Sequence, residues 1–146
     1  MAKGFFRGCL AFGLTAFFAS VTMASERERI NFLLHCSGCH QADGSGSPES
    51  GIPDMRGKIG HYLRLPEGRA YLVQVPGTSQ SSMNDRDTAT LLNWMVSTLS
   101  GKEVPAEFSP YTRDEVTRLR GHPLDDVSAA RTQVITRLQK MGYRIE

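Results

Sequence analysis

The pentapeptide Cys36-Ser-Gly-Cys39-His40 constrains the fold of this chain more than any other feature of its sequence. In the pattern C-x-x-C-H, two thiols separated by two residues can form thioethers with the two vinyl groups on one edge of a porphyrin. The histidine that follows can then place its imidazole on the iron as the proximal ligand. We therefore predict one covalent haem c, attached through Cys36 and Cys39 and ligated by His40, at the centre of the fold.

The N-terminal residues indicate export. An apolar stretch over 9–21 follows two basic residues, and the small-residue pattern Thr22-Met23-Ala24 ends it. This pattern predicts a secretory signal peptide over 1–24 that is cleaved after Ala24. Because the apolar stretch is shorter than the ~20 residues that a spanning helix needs, we expect no stable membrane span after cleavage. The expected location is the bacterial periplasm. The signal peptide and the adjoining His40 together argue against the thiol-redox or metal-binding role of a bare C-x-x-C.

The length, cysteine count and charge of the chain exclude some classes of function but do not indicate one. Removal of 24 of the 146 residues leaves a mature chain of 122, enough for a single domain of ordinary size. The two cysteines of that mature chain both belong to the haem motif, so none is left for a disulfide. The whole chain has 17 basic and 15 acidic residues, and loss of Lys3 and Arg7 balances them at 15 each. This balance does not indicate a nucleic-acid-binding protein.

Apolar periodicity and capping residues predict an all-α fold with irregular connections. The sequence predicts a helix over Ser25 to Cys36 with Ser25 as N-cap, and then a glycine-rich loop over Gln41 to Gly60 with left-handed glycines at 44, 46 and 51. The stretch from Tyr62 to Val75 is ambiguous, because Tyr71 to Val75 alternates like a short strand. A further helix begins at Asn84 or Asp85 and closes at Gly101.

Residues 102–146 are predicted to form a proline-containing linker and then two helices. Thr112 to Glu115 is a capping box for the first of them, which we expect to break at Pro123. The second starts near Asp125 and is stopped by Gly142. It carries an apolar stripe, which either the rest of this chain or a partner protein must cover. The stripe consists of Val127, Ala130, Val134, Leu138 and Met141.

From about Ser25 to Leu99 the chain resembles the class I cytochrome c family. It has the family's order of an N-terminal helix, C-x-x-C-H, a glycine-rich loop, a second iron ligand and a C-terminal helix. Phe32 and Trp94-Met95 resemble the aromatic and aliphatic residues with which the family's first and last helices cross. The segment Pro53-Asp-Met-Arg-Gly57-Lys resembles the family's Pro-x-Leu-x-Gly-Lys loop.

The resemblance implies a small helical domain over 25–101 that wraps around one covalent haem. Residues 102–146 lie outside the resemblance and are predicted to be a two-helix C-terminal extension. It also implies that the Pro53 carbonyl accepts the ring N–H of His40, which would fix the proximal imidazole. The sequence departs from the family at Glu28, where a glycine usually permits the close helix crossing.

The distal iron ligand is the open question. The resemblance implies Met83, because Gln80-Ser-Ser-Met83-Asn precedes the last helix of the haem domain as the family's methionine loop does. No proline follows this methionine, although one often does in the family. His61 is the rival and would give a bis-histidine haem of lower potential. We expect Met55 to pack in the haem pocket, and His35 and His122 to lie at the surface.

With His40 and Met83 both bound, the iron has no open site and can only exchange electrons. The resemblance then implies a periplasmic monohaem electron carrier, not an enzyme. It would pass electrons from a dehydrogenase or membrane cytochrome to an oxidase or another cytochrome. Two alternatives stay open: a haem with an open or displaceable distal site that binds a small gas or peroxide, and a haem subunit tied to a partner enzyme through 102–146. The sequence leaves the oligomeric state open.

Overall fold

A computed structural model describes residues 15–145, with side chains described over 25–145. Within these residues the fold is all-α and contains no β-strand, as predicted. The helices, in chain order, are α1 (Thr15–His35), α2 (Ser37–His40), α3 (Ile59–Tyr62), α4 (Pro66–Gln74), α5 (Pro76–Ser79), α6 (Asp85–Leu99), α7 (Arg113–Arg120) and α8 (Val127–Lys140). Two short 3₁₀ turns occupy Pro48–Ser50 and Gly101–Glu103.

The first fourteen residues of the predicted signal peptide lie outside the described part of the chain. Over the part that is described, no helix combines the length and the apolar character that crossing a bilayer requires. The predicted N-cap at Ser25 is wrong, because α1 continues through this position from Thr15 to His35. The predicted end of the helix, at Cys36, is correct to within one residue.

The ends of α6 follow the predicted local chemistry. The Asn84 side chain accepts a hydrogen bond of 2.9 Å from the backbone N–H of Asp87, which makes it the N-cap. The helix ends at Leu99, and Gly101 follows in the left-handed conformation with φ of 59°. Both predicted ends are confirmed, and each depends on a residue within the terminal turn itself.

The C-terminal helices also begin at capping residues. The Thr112 hydroxyl accepts from the backbone N–H of Glu115 at 3.2 Å and starts α7 as predicted. This helix stops at Arg120, three residues before the proline at which we expected the break. Asp126, one residue after the predicted start, caps α8 by accepting from Ala129 at 2.8 Å.

The strand interpretation that the ambiguous stretch from Tyr71 to Val75 left open is wrong, because residues 71–74 belong to α4. Pro66 occupies the first turn of this helix, where its missing N–H costs nothing. Tyr71 and Val73 are both buried, but they belong to two different apolar clusters. Because α4 lies between two clusters, its apolar residues do not follow a single helical stripe, and the helical period is hidden.

Among residues 25–145, three apolar clusters form the core. The first joins α4, α6 and α7 and consists of Val73, Ala89, Leu92, Val96, Tyr111, Val116 and Leu119. The second joins α3, α4 and α8 and consists of Tyr62, Leu65, Tyr71, Val134, Leu138 and Ile145. The third joins α1, α3 and α6 and consists of Phe32, Ile59, Leu91 and Met95. Phe32 also lies 5.7 Å from Trp94, centroid to centroid, so α1 and α6 meet through the predicted aromatic pair.

The apolar stripe of α8 is covered by this chain itself. Val134 and Leu138 are buried in the second cluster, and Val127 and Ala130 pack against it. Met141, the fifth predicted member, is 53% exposed and does not belong to the covered stripe. Residues after 101 therefore supply part of two of the three clusters.

Candidate haem site

The C-x-x-C-H motif folds as a single helical turn. Cys36 precedes α2, and its carbonyl accepts hydrogen bonds from the backbone N–H groups of Cys39 at 3.2 Å and His40 at 3.0 Å. Both thiols are free. Cys36 is half-buried against the third cluster, whereas Cys39 is exposed. Burial raises the pKa of the Cys36 thiol to about 11, and the nearby Cys39 adds to the rise.

The imidazole of His40 is held from the glycine-rich loop. Its Nδ1 lies 3.3 Å from the carbonyl oxygen of Pro53, which confirms the contact that the family resemblance implied. Burial lowers the pKa of His40, and the Pro53 carbonyl opposes this by favouring the protonated ring. When Nδ1 donates to this carbonyl, Nε2 keeps its lone pair free for a metal ion.

Gly46 permits the close approach of the loop to His40. Its backbone N–H donates to the His40 carbonyl at 3.0 Å, and its φ of 68° is left-handed, as predicted for residues 44, 46 and 51. A Cβ at this position would lie 2.4 Å from the carbonyl oxygen of Pro53, the same atom that faces the imidazole. A side chain at position 46 would therefore displace the group that orients His40.

An apolar cleft brings Met83 to the same place as the first cysteine. Cys36 and Met83 both line it, together with His35, Gly77, Thr78, Ser81, Thr88, Leu91, Leu92 and Met95. Met83 is half-buried and packs against the third cluster, as does Met55. The fold thus places a thioether, which is a soft iron ligand, in one apolar cleft with a thiol of the attachment motif.

His61 lies elsewhere, on α3, and its side chain faces residues of the C-terminal region. The side chain is buried, with its Nε2 3.3 Å from a carboxylate oxygen of Glu103 and its ring 5.2 Å from the ring of Tyr143. Its Nδ1 is buried without a hydrogen-bond partner. Burial lowers the pKa of His61, Glu103 opposes the shift, and Arg64 adds to it.

The other two histidines lie at the surface, as predicted. His35 is exposed at the rim of the cleft, and His122 is exposed after α7. Glu28, which replaces the expected glycine, is 5% exposed and accepts a hydrogen bond of 3.3 Å from Asn31.

Sequence reasoning missed Arg120, the last residue of α7. Its guanidinium donates to the carbonyls of Ser79, Ser81 and Met83 at distances from 2.5 to 3.1 Å, and to the Asp85 carboxylate at 2.8 Å. An arginine in the last turn of a helix is usually a solvated charge, and its partners here lie 35 to 41 residues away. No local pattern could have identified it.

The donor set suits a c-type haem. Two thiols and an imidazole lie on one turn, a backbone carbonyl orients the imidazole, and an apolar cleft with a thioether adjoins them. These are the groups that covalent attachment and six-coordinate iron require.

Two curated proteins from Thermus thermophilus are similar to this chain, and both are named cytochrome c-552. One is 27% identical over 138 residues that cover 82% of this chain and 89% of its own length. The other is 27% identical over 137 residues, which cover 82% of this chain and all of its own length. No protein-family model and no solved structure matches.

The similarity extends beyond the region that resembles class I cytochromes c. Since 82% of 146 residues is more than the 101 residues that precede Lys102, the matched stretch includes part of the C-terminal region. This region is also the one that supplies α7 and α8 to the first two clusters.

Proposed function

We propose that this chain is an exported monohaem c-type cytochrome that carries single electrons between redox proteins. The likeness to two cytochromes c-552 supports a c-type cytochrome with covalently bound haem and a role in electron transfer rather than catalysis. The observation that carries the proposal is the C-x-x-C-H turn, with His40 Nδ1 held 3.3 Å from the Pro53 carbonyl.

Each residue of the site would have its own role in holding a haem. Cys36 and Cys39 would attach it by thioethers, and His40 would ligate the iron through Nε2. A bound haem supplies a one-electron ferric/ferrous couple. The Pro53 carbonyl fixes the plane of the imidazole and raises its basicity as a ligand. Apolar side chains of α6, such as Leu91 and Met95, line the cleft and would give a bound haem an apolar surface to pack on.

We propose Met83 as the distal ligand. It lines the cleft with Cys36, whereas the rival His61 packs on Tyr143 and Glu103 and is not among the residues that line this cleft. A thioether stabilises the ferrous state and raises the reduction potential. With His40 and Met83 both bound, the iron would have no open site and would be limited to electron exchange, as a carrier requires and a gas- or peroxide-binding haem does not.

We also propose where the protein is located, what its partners are and how its C-terminal region is arranged. We propose cleavage after Ala24, residence in the periplasm, and redox proteins as partners. Residues 102–146 are proposed as an extension of a haem domain over 25–101 that packs on it in the same chain. The burial of Val116 and Leu138 in clusters shared with earlier helices supports this arrangement over a tail reserved for a partner enzyme.

The test is the optical spectrum of the ferric protein, expressed in the periplasm with the haem-attachment machinery. We expect the far-red sulfur-to-iron charge-transfer band in the wild type, its loss in Met83→Ala, and its retention in Met141→Ala. Met141 is exposed and serves as the matched control. A low-spin wild-type spectrum without this band would indicate His61, not Met83, as the distal ligand. A high-spin spectrum would replace the carrier with a ligand-binding haem protein.

A further inference from the structure

We propose that Arg120 is a positioning residue that holds the segment from Ser79 to Met83, here called the methionine loop, and so keeps Met83 on the iron against competing ligands. The inference rests on the proposed function, because it assumes Met83 as the distal ligand. It assigns to the C-terminal region a direct part in the stability of the iron coordination.

The guanidinium of Arg120 is almost fully used by this loop. Its Nη1 donates to the Met83 carbonyl at 2.8 Å, its Nη2 donates to the Ser81 carbonyl, and its Nε donates to the Ser79 carbonyl at 3.1 Å. A further bond from Nη1 reaches Asp85 at 2.8 Å. Four of the five N–H donors of the planar fork are thereby engaged, three of them on carbonyls of alternate residues.

The methionine loop has little structure of its own. α5 ends at Ser79, and α6 begins at Asp85. Between them, the described backbone bonds are local, such as those from Gln80 to Pro76 at 3.0 Å and from Ser81 to Thr78 at 3.3 Å. A segment with few contacts of its own opens readily unless another element holds it.

Arg120 is anchored on a rigid part of the fold. Val116 and Leu119, on the same helix, are buried in the first cluster against α4 and α6. The Arg120 side chain is 15% exposed, and the Asp85 carboxylate beside it balances its charge. The arginine therefore connects the methionine loop to the buried core.

The bonds from Arg120 to the methionine loop would control how readily an external ligand replaces Met83 on the iron. An external ligand would reach the iron only after Met83 had left it, and Met83 would leave when its loop opened. Removal of the guanidinium deprives three loop carbonyls of their donor and makes the open loop more populated. The apparent affinity for an external ligand should rise by the same factor, since it scales with the population of the open state.

Imidazole titration of the ferric holoprotein tests the inference, with loss of the far-red band as the readout. We expect Arg120→Gln to bind imidazole at least tenfold more tightly than the wild type, and Arg120→Lys to lie between them. Arg118→Gln, on the same helix but exposed, is the matched control and should equal the wild type. A lower reduction potential in Arg120→Gln should accompany the change, because weaker thioether ligation favours ferric iron.

The outcomes separate the two claims. A wild-type spectrum without the methionine band overturns Met83 ligation and this inference with it. A wild type that has the band, together with equal imidazole affinities for the Arg120→Gln and Arg118→Gln proteins, overturns the role of Arg120 alone. If the Arg120→Gln protein does not accumulate, the Arg120→Lys protein is titrated instead. An imidazole affinity equal to that of the wild type would then overturn the role of Arg120.

Discussion

The charge state of His61 is controlled by the groups that enclose it. The ring packs on Tyr143, Nε2 faces Glu103 at 3.3 Å, and the Arg64 guanidinium lies 4.5 Å from the centre of the Tyr143 ring. Burial is the largest cause of the lowered pKa, and Arg64 adds to it while Glu103 opposes both. The neutral imidazole, which can donate from Nε2 to Glu103, is therefore the form that the fold favours.

A pH dependence of stability follows from this lowered pKa. The unfolded chain binds the proton near the ordinary value of 6.5 and the folded protein only at lower pH. The unfolding free energy should thus be highest above pH 6.5 and fall as the pH decreases toward the folded pKa. We expect His61→Gln, which keeps an amide donor, to flatten this slope in urea unfolding of the holoprotein between about pH 5 and 8.

His122→Gln provides the control for that experiment, because His122 is exposed. The slope should survive in this variant. If His61→Gln retains the full slope as well, the pH dependence originates elsewhere and the account of His61 is wrong.

At the scale of elements, α6 connects the parts of the site. Its buried face supplies Leu91 and Met95 to the third cluster and Leu92 and Val96 to the first. Its N-cap, Asn84, comes directly after Met83, so the start of the helix is also the end of the methionine loop. The capping bond to Asp87 fixes both at once.

Loss of this cap should be measurable. We expect Asn84→Ala to lower the free energy of unfolding by about 1 kcal/mol, because the backbone N–H of Asp87 loses its acceptor. Asn84→Gly should cost only a few tenths of a kcal/mol, since glycine is itself tolerated at an N-cap. Urea unfolding of the two variants checks this. Equal losses for both would show that the side-chain bond does not stabilise the helix start.

Local chemistry explains which elements the sequence could predict. Asn84, Thr112 and Gly101 act within one helical turn, so their caps were predictable from neighbouring residues. The helix α4 was not, because Tyr71 and Val73 face different clusters that form only after distant segments meet. The contact between His40 and Pro53 was predictable through a family resemblance rather than through periodicity.

At the scale of the whole molecule, the C-terminal region is a structural part of the fold. Arg69 of α4 forms two hydrogen bonds of 2.7 Å with Glu115 of α7, and both side chains are only 20% exposed. The Tyr111 hydroxyl donates to the Arg69 carbonyl at 2.8 Å. Arg137 of α8 pairs with Glu67 at the start of α4. These bonds connect residues that are 42 to 70 positions apart.

A core substitution in α8 tests this integration. Leu138 is fully buried, and Leu138→Ala should lower the free energy of unfolding of the holoprotein by about 2–5 kcal/mol through lost burial and the cavity left behind. Met141→Ala, directly after the same helix but exposed, should change it by less than about 0.5 kcal/mol. Denaturant unfolding compares them. Similar small effects for both would mean that α8 is not part of the cooperative unit.

The acceptors of Arg120 in the methionine loop are all backbone carbonyls. A carbonyl is present whatever the side chain, so mutations at positions 79 and 81 leave the acceptors in place, whereas the donor exists only if position 120 encodes arginine. For these three bonds the side chains at positions 79 and 81 are thus unconstrained, whereas position 120 requires a guanidinium. The Ser81 hydroxyl has a separate role, since it accepts from the backbone N–H of Met83 at 3.2 Å. The residue that constrains the proposed distal ligand is then not its neighbour in sequence.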